Sequence, residues 1–322
     1  MTALTIEGVE NGRRAFRALK AYFGDLIGRP IRLARVLDEH DALCVPLVEP
    51  KRTAYALSVV KWHEWGSYPR APMCRPGELA GWGDVGGCYA GLSRLVPALK
   101  EIGRIRSTAV EVDIQDVTAI WASKSPLEKY DCLHAFVQSR SPDLIAEVSE
   151  RQLERNLNHE GRIQDHALIK HHLVRYAWDG RITLANSGGS HHFAAARLLA
   201  SRLGRSVPLR GRLDEHELNR PAIDALRADF CILAVSEKDI HAWLKFHEAM
   251  AAFRAAYFWK PLPRPYHDLR AIFLPRDEAR SAIAADVMRE AGAFDLGQHL
   301  YELAARQSNN RSVAKSIHWP SP

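Results

Sequence analysis

The chain has 322 residues, of which 47% are hydrophobic and 25% are charged, and its 20 Gly and 17 Pro are close to average usage. This composition excludes disordered, collagen-like and coiled-coil proteins, and the length suffices for one large domain or two ordinary ones. No apolar run reaches the roughly 18 residues of a membrane span, and no hydrophobic signal region follows Met1. We therefore expect a cytoplasmic protein with no membrane partner, and we leave its oligomeric state open.

Positive charge is concentrated near the N-terminus. The formal net charge of the chain is +6, and residues 13–35 alone carry an excess of six positive charges. Asp25 is the one acidic residue of this stretch, and its basic residues are Arg13, Arg14, Arg17, Lys20, Arg29, Arg32 and Arg35. Apolar residues recur in it at helical spacing, which predicts an amphipathic helix over residues 12–27 that packs through its aromatic side. The basic stretch 13–35 fits a contact with DNA, acidic lipid or an acidic protein, or a helix face exposed to solvent.

The first half of the chain predicts strands and helices on either side of an irregular segment. Two short β-like runs cover residues 43–48 and 54–62, and the Gly- and Pro-rich stretch 63–91 has no period and is predicted to be a loop. A strand follows at 108–114. Start signals at Ser125-Pro126-Leu127-Glu128 and at Ser141-Pro142-Asp143 predict helices that run to about residues 139 and 157.

The second half of the chain has a clearer pattern. Residues 181–185 are predicted to be a strand, 190–203 a helix closed by Gly204, and 207–213 another strand. Beyond them we expect a short helix at 222–228, a buried strand at 230–235 and a helix that Ser236 caps and that ends near residue 256. Helices near 277–290 and 295–306 follow, and residues 307–322 are predicted to be a mobile tail.

A glycine pair joins the strand 181–185 to its helix, in the segment Asn186-Ser187-Gly188-Gly189-Ser190-His191-His192. Gly188 and Gly189 allow positive φ and a close approach of ligand, while the free N–H groups and the dipole of the helix attract an anion. The side chains placed to donate to phosphate or to balance its charge are Ser187, Ser190, His191, His192 and Arg197. These features predict a phosphate cradle. The alternative is a structural turn in which Ser190 is only the N-cap.

The strand, the Gly-Gly-Ser-His turn and the Ala-rich helix together resemble the signature of the ParB/sulfiredoxin-like superfamily, over roughly residues 145–236. Sulfiredoxins carry a Gly-Gly-Cys-His-Arg turn, and ParB-type partition proteins carry a Gly-x-x-Arg turn. The resemblance implies that nucleotide phosphates bind at Gly188, Gly189, Ser190 and His191. Two departures matter, because Ser190 replaces the catalytic cysteine and His192 replaces the Arg. Without a thiolate at the turn, sulfiredoxin chemistry is disfavoured.

Members of this superfamily include ATP-using sulfinic acid reductases, CTP-hydrolysing DNA clamps and free-serine kinases. The kinase-like members use an upstream carboxylate as base or metal ligand, and the residues that match this role are Glu147, Glu150 and Glu154. Their spacing places them on one helix face, which is also typical of a solvated acidic face. The whole chain also resembles a family of bacterial proteins encoded on mobile elements, which shares the Asn-Ser-Gly-Gly-Ser-His-His turn and supplies no activity.

Three further patterns have simpler structural explanations. A metal site would need His63, Glu64, Cys74 and Cys88, but zinc ligands come in close pairs and these are scattered, so we predict no metal site. A convergence of acid/base groups on the turn would need His166, His171 and His172, and chance clusters are common in a chain with 15 His. Residues 81–86 match Gly-x-Gly-x-x-Gly without a preceding strand, so we interpret them as a loop.

These patterns predict an α/β (mixed α+β) protein with an N-terminal α+β region at 1–140, a ParB/sulfiredoxin-like core at 141–236, a helical region at 237–306 and the tail. The predicted function is binding of a nucleoside di- or triphosphate, with or without Mg²⁺. An open extension is phosphoryl transfer or NTP hydrolysis that uses Ser190, His191 and either Glu147 or Glu150. The alternative is a non-enzymatic protein of a mobile element that binds DNA or a protein partner.

Overall fold

The structure is a computed structural model and describes residues 19–67, 75–159, 171–266, 268–310 and 314–317. These residues form a mixed α/β structure with two six-stranded sheets and ten helices. Within them, no helix combines the length and the hydrophobicity that crossing a bilayer requires.

The helices are α1 (19–26), α2 (Ile31–Glu39), α3 (Pro97–Lys100), α4 (Leu133–Arg140), α5 (Glu150–Leu157), α6 (Ser190–Leu203), α7 (Arg220–Asp229), α8 (Ile240–Phe253), α9 (Ala279–Glu290) and α10 (Leu296–Asn309). The strands are β1 (Glu78–Val85), β2 (Cys88–Leu95), β3 (Gly103–Asp113), β4 (Val117–Ile120), β5 (His171–Tyr176), β6 (Ile182–Leu184), β7 (Pro208–Leu218), β8 (Phe230–Ser236), β9 (Tyr257–Pro261), β10 (Leu269–Pro275), β11 (Phe294–Asp295) and β12 (Lys315–Ser316).

The chain divides into two compact units. Unit 1 comprises residues 1–48, 64–102 and 220–302, and unit 2 comprises residues 49–63, 103–219 and 303–322. Both units are therefore built from separated stretches of chain, unlike the consecutive regions predicted from the sequence. The predicted helical region at 237–306 also contains the strands β9, β10 and β11.

Unit 1 contains an antiparallel sheet with the strand order β11-β8-β10-β9-β1-β2. Every residue of β8 is buried, which explains its continuous apolar sequence. The core of this unit joins the sheet to apolar residues of α2, α8 and α9, among them Leu33, Phe246 and Met288. The amphipathic pattern of these helices is thus satisfied by packing on the sheet.

Unit 2 contains a mixed sheet with the strand order β12-β3-β7-β5-β6-β4. The β5–β7 and β4–β6 pairs are parallel, and the other pairs are antiparallel. Helices α4 and α5 pack against α6, and the core includes Phe136, Leu153 and Phe193 from these helices together with Leu173 and Leu184 from the sheet. The three consecutive alanines of α6, residues 194–196, are fully buried and permit this close packing.

The predicted strand, glycine turn, helix and strand in unit 2 are confirmed. Strand β6 lies inside the predicted range, and α6 has the predicted bounds, Ser190–Leu203. Gly204 ends α6 in the left-handed region with φ 64°, as expected of a C-terminal glycine. Strand β7 continues beyond the predicted residue 213 to Leu218, because its pairing with β3 persists over 11 residues.

Several predictions in the first half are wrong. Residues 43–48 and 54–62 form no strand, and the predicted loop 63–91 contains β1 and the start of β2, which pair as a hairpin. The two helices predicted from residues 125 and 141 each break into a short 3-10 turn followed by α4 or α5. Cys132 and Ser149 are the N-caps of α4 and α5, and their side chains accept N–H groups of the first helical turn.

Predictions near three helix ends are also corrected. Asp239, and not Ser236, caps α8, because its side chain accepts the N–H groups of His241 and Ala242. Residues 19–26 of the predicted helix 12–27 are helical, residues 12–18 lie outside the described residues, and the aromatic side of α1 is exposed instead of packed. In the predicted tail, residues 307–309 belong to α10 and β12 pairs with β3.

Candidate functional site

The glycine turn of unit 2 connects β6 to α6 and is shaped by Gly189. This residue is the N-cap of α6 and has φ 68° and ψ 14°, a left-handed conformation that suits glycine. The N–H of Phe193 donates to the carbonyl oxygen of Gly189 at 2.9 Å. Because a glycine N-cap has no side chain, it offers no acceptor to the free N–H groups of the first helical turn that follows it. Ser190 is therefore the first residue of the helix and not its N-cap, the role that the alternative explanation of the turn gave it.

Asn186 holds the turn against the segment that follows β4. Its Oδ1 accepts the N–H groups of Trp121 and Ala122, both at 3.0 Å. Its Nδ2 donates to the carbonyl oxygens of Ala122 at 2.7 Å and Gly188 at 3.1 Å. All four bonds fix the position of the turn, so Asn186 is a positioning residue. This role was not predicted, although Asn followed closely by glycines is a typical turn signal.

Ser190 is the first residue of α6 and is buried, with 6% of its surface exposed. Its hydroxyl donates to Oγ of Ser123 at 3.0 Å. Ser123 lies in the same segment after β4 that Asn186 contacts, so this segment and the turn form one hydrogen-bonded group. Ser187, by contrast, is exposed.

His191 links the first turn of α6 to two other segments. Its Nδ1 lies 2.6 Å from Oγ of Ser141, and its Nε2 lies 3.4 Å from Oγ of Ser125. Burial lowers the pKa of His191 below its ordinary value, and the charges of Arg140 and Lys124 lower it further. The neutral imidazole is therefore favoured at neutral pH, with one nitrogen available as donor and the other as acceptor.

His192 and Arg197 are committed to structural contacts. His192 Nδ1 lies 2.9 Å from Oδ1 of the buried Asn156, and its ring stacks on His159 at a centroid distance of 3.5 Å. The guanidinium of Arg197 donates to the carbonyl oxygens of Val117 and Gln115, both at 2.8 Å, and Nη1 lies 2.7 Å from Nε2 of His134. Arg197 thus anchors α6 to the start of β4. These bonds favour a positioning role over the predicted role of balancing the charge of a phosphate.

Of the predicted carboxylates, Glu150 is held away from the turn. Glu150 forms an ion pair of 3.2 Å with Arg205, which follows the C-terminal end of α6. The turn lies at the other end of this 14-residue helix, about 20 Å away at the rise of an α-helix. Glu147 and Glu154 are exposed. Glu150 therefore does not reach a phosphate at the turn, which corrects the role predicted for it.

His172 belongs to a separate polar group on the sheet of unit 2. Its Nε2 lies 2.7 Å from Oδ2 of the buried Asp214, which also accepts Ser107 Oγ at 2.6 Å and Arg212 Nε at 2.8 Å. Burial alone would raise the pKa of Asp214, but the hydrogen bonds from Arg212, Ser107 and His172 hold it well below its ordinary value. His166 lies outside the described residues.

The structure also places the Gly-x-Gly-x-x-Gly match and part of the set of residues considered for a metal site. Residues 81–85 lie in β1 and Gly86 in its hairpin turn, so they form neither the predicted loop nor a strand-to-helix turn. The ring of His63 packs against that of His216 at a centroid distance of 4.0 Å and an interplanar angle of 39°, and Cys74 lies outside the described residues. Across the described part of the chain, no group of three or more His, Cys, Asp or Glu is arranged to hold a metal ion.

Comparison with known proteins places the site within a family. Residues 107–313 match the family described as a family of unknown function (DUF6685). The match covers more than half of the 322 residues, so the chain belongs to this family. No curated protein and no solved structure matches the chain. The matched residues include the glycine turn and the helices α4, α5 and α6.

Proposed function

We propose that this member of the DUF6685 family binds a nucleoside di- or triphosphate through its phosphates at the turn 187–191. The observation that carries the proposal is the left-handed Gly189 at the N-cap of α6. It leaves the first-turn N–H groups without a capping side chain and gives the backbone room to approach an anion.

The charges around the turn support an anionic ligand. Arg140 and Lys124 lie close enough to His191 to lower its pKa, and both side chains are exposed. The N-terminal end of the α6 dipole adds a partial positive charge of about half an elementary charge. A phosphate at this position therefore gains attraction from the helix end and from two cations that remain accessible to it.

The side chains divide into ligand-binding and positioning residues. Ser190 and His191 lie in the first turn of α6 and supply a hydroxyl and an imidazole beside the backbone N–H groups. Asn186 and Arg197 position the turn and the helix through bonds to other segments. The resemblance of the Gly-Gly-Ser-His turn to ParB/sulfiredoxin-like proteins supports the nucleotide as the source of the phosphate.

The proposal covers binding and does not extend to a reaction that uses Glu147 or Glu150. Glu150 is held beside Arg205 at the far end of α6, and phosphoryl transfer needs its base or metal ligand within hydrogen-bond distance of the reacting atoms. If Mg²⁺ binds, we expect phosphate oxygens of the nucleotide and water molecules to be among its ligands.

A nucleotide panel tests the proposal on the full chain. Tm is measured with the di- and triphosphates of adenosine, cytidine, guanosine and uridine, with and without Mg²⁺, and isothermal titration is carried out with each of them. We expect at least one to bind at a single site and to raise Tm with concentration, because a ligand that binds only the folded state stabilises it. Unchanged Tm and no heat of binding across the whole panel would overturn the proposal.

A further inference from the structure

Helix α1 of unit 1 presents its apolar side to solvent. Its small and acidic residues Ala21, Gly24 and Asp25 are buried. Its large apolar residues are exposed by more than half of their surface: Leu19 54%, Tyr22 52%, Phe23 56%, Leu26 54% and, just after the helix, Ile27 71%. These positions follow the i, i+3, i+4, i+7, i+8 spacing of one helix face, so they form a continuous apolar stripe, which we call the α1 stripe.

The orientation of α1 is fixed by contacts on its buried side. Asp25 Oδ2 lies 3.2 Å from Arg32 Nε, and the carbonyl oxygen of Asp25 accepts Arg280 Nη1 at 3.3 Å. A Cβ at Gly24 would overlap with the side chain of Ile31. The helix therefore cannot turn the α1 stripe inward without losing these bonds and this close approach. A patch of this kind on a folded protein marks an interaction surface.

Charge around the α1 stripe identifies the chemistry of the partner. Lys20 and Arg29 are exposed beside it, and the stretch 13–35 holds seven basic residues against one acidic residue. The phosphate backbone of DNA would attract these cations but offers no surface that covers Phe23 or Leu26. The surface of an anionic bilayer offers both negative charge and an apolar region. Cations contact its headgroups, while aromatic and aliphatic side chains enter the interface.

We propose that α1 binds the surface of an anionic lipid bilayer, with the α1 stripe inserted at the headgroup boundary. The expectation of no membrane partner rested on the lack of an apolar run long enough to span a bilayer, and a helix that lies on the surface needs no such run. The proposal is independent of nucleotide binding, because α1 belongs to unit 1 and the glycine turn to unit 2.

Vesicle sedimentation of the full chain tests this proposal. Vesicles of phosphatidylcholine are compared with vesicles that also contain phosphatidylglycerol, at low and high salt. The test variant carries Leu19→Asp with Phe23→Asp. The matched control carries Ile240→Asp with Leu244→Asp, which have the same spacing on α8 and are exposed by 56% and 49%. Thermal unfolding verifies that all three proteins are folded.

We expect the unchanged chain and the control to sediment with the anionic vesicles. The Leu19/Phe23 variant should lose about tenfold or more in partitioning, because two apolar side chains that would insert into the bilayer become charged. High salt should weaken the binding.

No binding of the unchanged chain to anionic vesicles would overturn the proposal, as would equal loss in the control. A dimer in lipid-free solution that only the Leu19/Phe23 variant disrupts would assign the α1 stripe to a second copy. Binding to duplex DNA with no vesicle binding would assign the basic stretch to nucleic acid. Both outcomes overturn the lipid proposal.

Discussion

The Nδ1 atom of His191 lies 2.6 Å from the hydroxyl oxygen of Ser141, the residue that follows α4. The ring of His191 also packs on the buried Phe136 of α4 at a centroid distance of 4.8 Å. This contact joins the first turn of α6 to the end of another helix across 50 positions in the sequence. His191 is therefore both a candidate ligand for phosphate and part of the framework around the turn.

Protonation of His191 should couple nucleotide binding to pH. Burial and the charges of Arg140 and Lys124 lower its pKa in the free protein, and a bound phosphate should raise it because it favours the imidazolium. Affinity should therefore rise as pH falls from 7 toward 5, by at most about tenfold per pH unit. Isothermal titration over this range checks the slope. The His191→Gln variant should show a flatter profile, and an equal slope in both proteins would remove His191 from the binding site.

Gly189 and Gly204 provide a matched pair at the two ends of α6, with φ 68° and φ 64°. Valine at either position must adopt a left-handed conformation, which costs about 1–2 kcal/mol. We expect Gly189→Val to abolish nucleotide binding, because its side chain blocks the approach of phosphate, and Gly204→Val to retain binding. Urea unfolding and nucleotide titration of both variants check this. Equal affinity of the two folded variants would contradict the phosphate cradle.

Replacement of Asn186 tests the framework of the turn. Asn186→Ala removes the acceptor for the N–H groups of Trp121 and Ala122, which should lower the free energy of unfolding by about 1–3 kcal/mol and weaken nucleotide binding. Asn158→Ala, at an exposed position after α5, serves as control and should change stability by less than about 0.5 kcal/mol. Equal unfolding free energies for the two variants would show that these bonds do not hold the turn.

Ser190 is expected to bind and position, and not to act as a nucleophile. A serine nucleophile needs an adjacent base, whereas the hydroxyl of Ser190 donates to Ser123 and the nitrogens of His191 face Ser141 and Ser125. Ser190→Ala should cost about 1 kcal/mol of stability and part of the nucleotide affinity. Intact-mass and peptide mass spectrometry after incubation with nucleotide should show no adduct on this residue. An adduct that disappears in Ser190→Ala would prove the expectation wrong.

His63 should make the protein less stable in mild acid. Burial, together with the charges of His216 and Lys61, lowers the pKa of His63 from 6.5 to about 3. The unfolded chain then binds more protons than the folded one at pH values between these two pKa values. Stability is full above about pH 6.5 and falls as pH decreases, by at most about 1.4 kcal/mol per pH unit from this residue.

Urea unfolding of the unchanged chain and of His63→Phe between pH 7 and pH 4 isolates this contribution. The difference in unfolding free energy between the two proteins should shift in favour of His63→Phe as pH falls. His241→Gln, at an exposed helix position, should leave the dependence of the unchanged chain intact. A constant difference between the first two proteins would show that His63 titrates normally.

Elements with local signals could be predicted from the sequence alone. The bounds of α6, its C-terminal Gly204 and the glycine turn before it follow from a helical apolar period and from glycines at left-handed positions. These signals depend on neighbouring residues alone, so they can be read without the fold. For the same reason the fully apolar run of β8 was predicted within one residue of its end.

Contacts between side chains from distant segments could not be predicted, because they depend on the fold. Asn186 contacts residues more than 60 positions earlier, Glu150 is drawn to Arg205, and Arg197 is committed to the start of β4. The exposed face of α1 likewise depends on what Asp25 and Gly24 contact in unit 1. Hydrogen bonds and ion pairs of this kind join segments that are distant in the sequence, so local sequence patterns do not predict them. The glycine turn was therefore visible in the sequence, while its framework and the position of Glu150 beside Arg205 were properties of the fold.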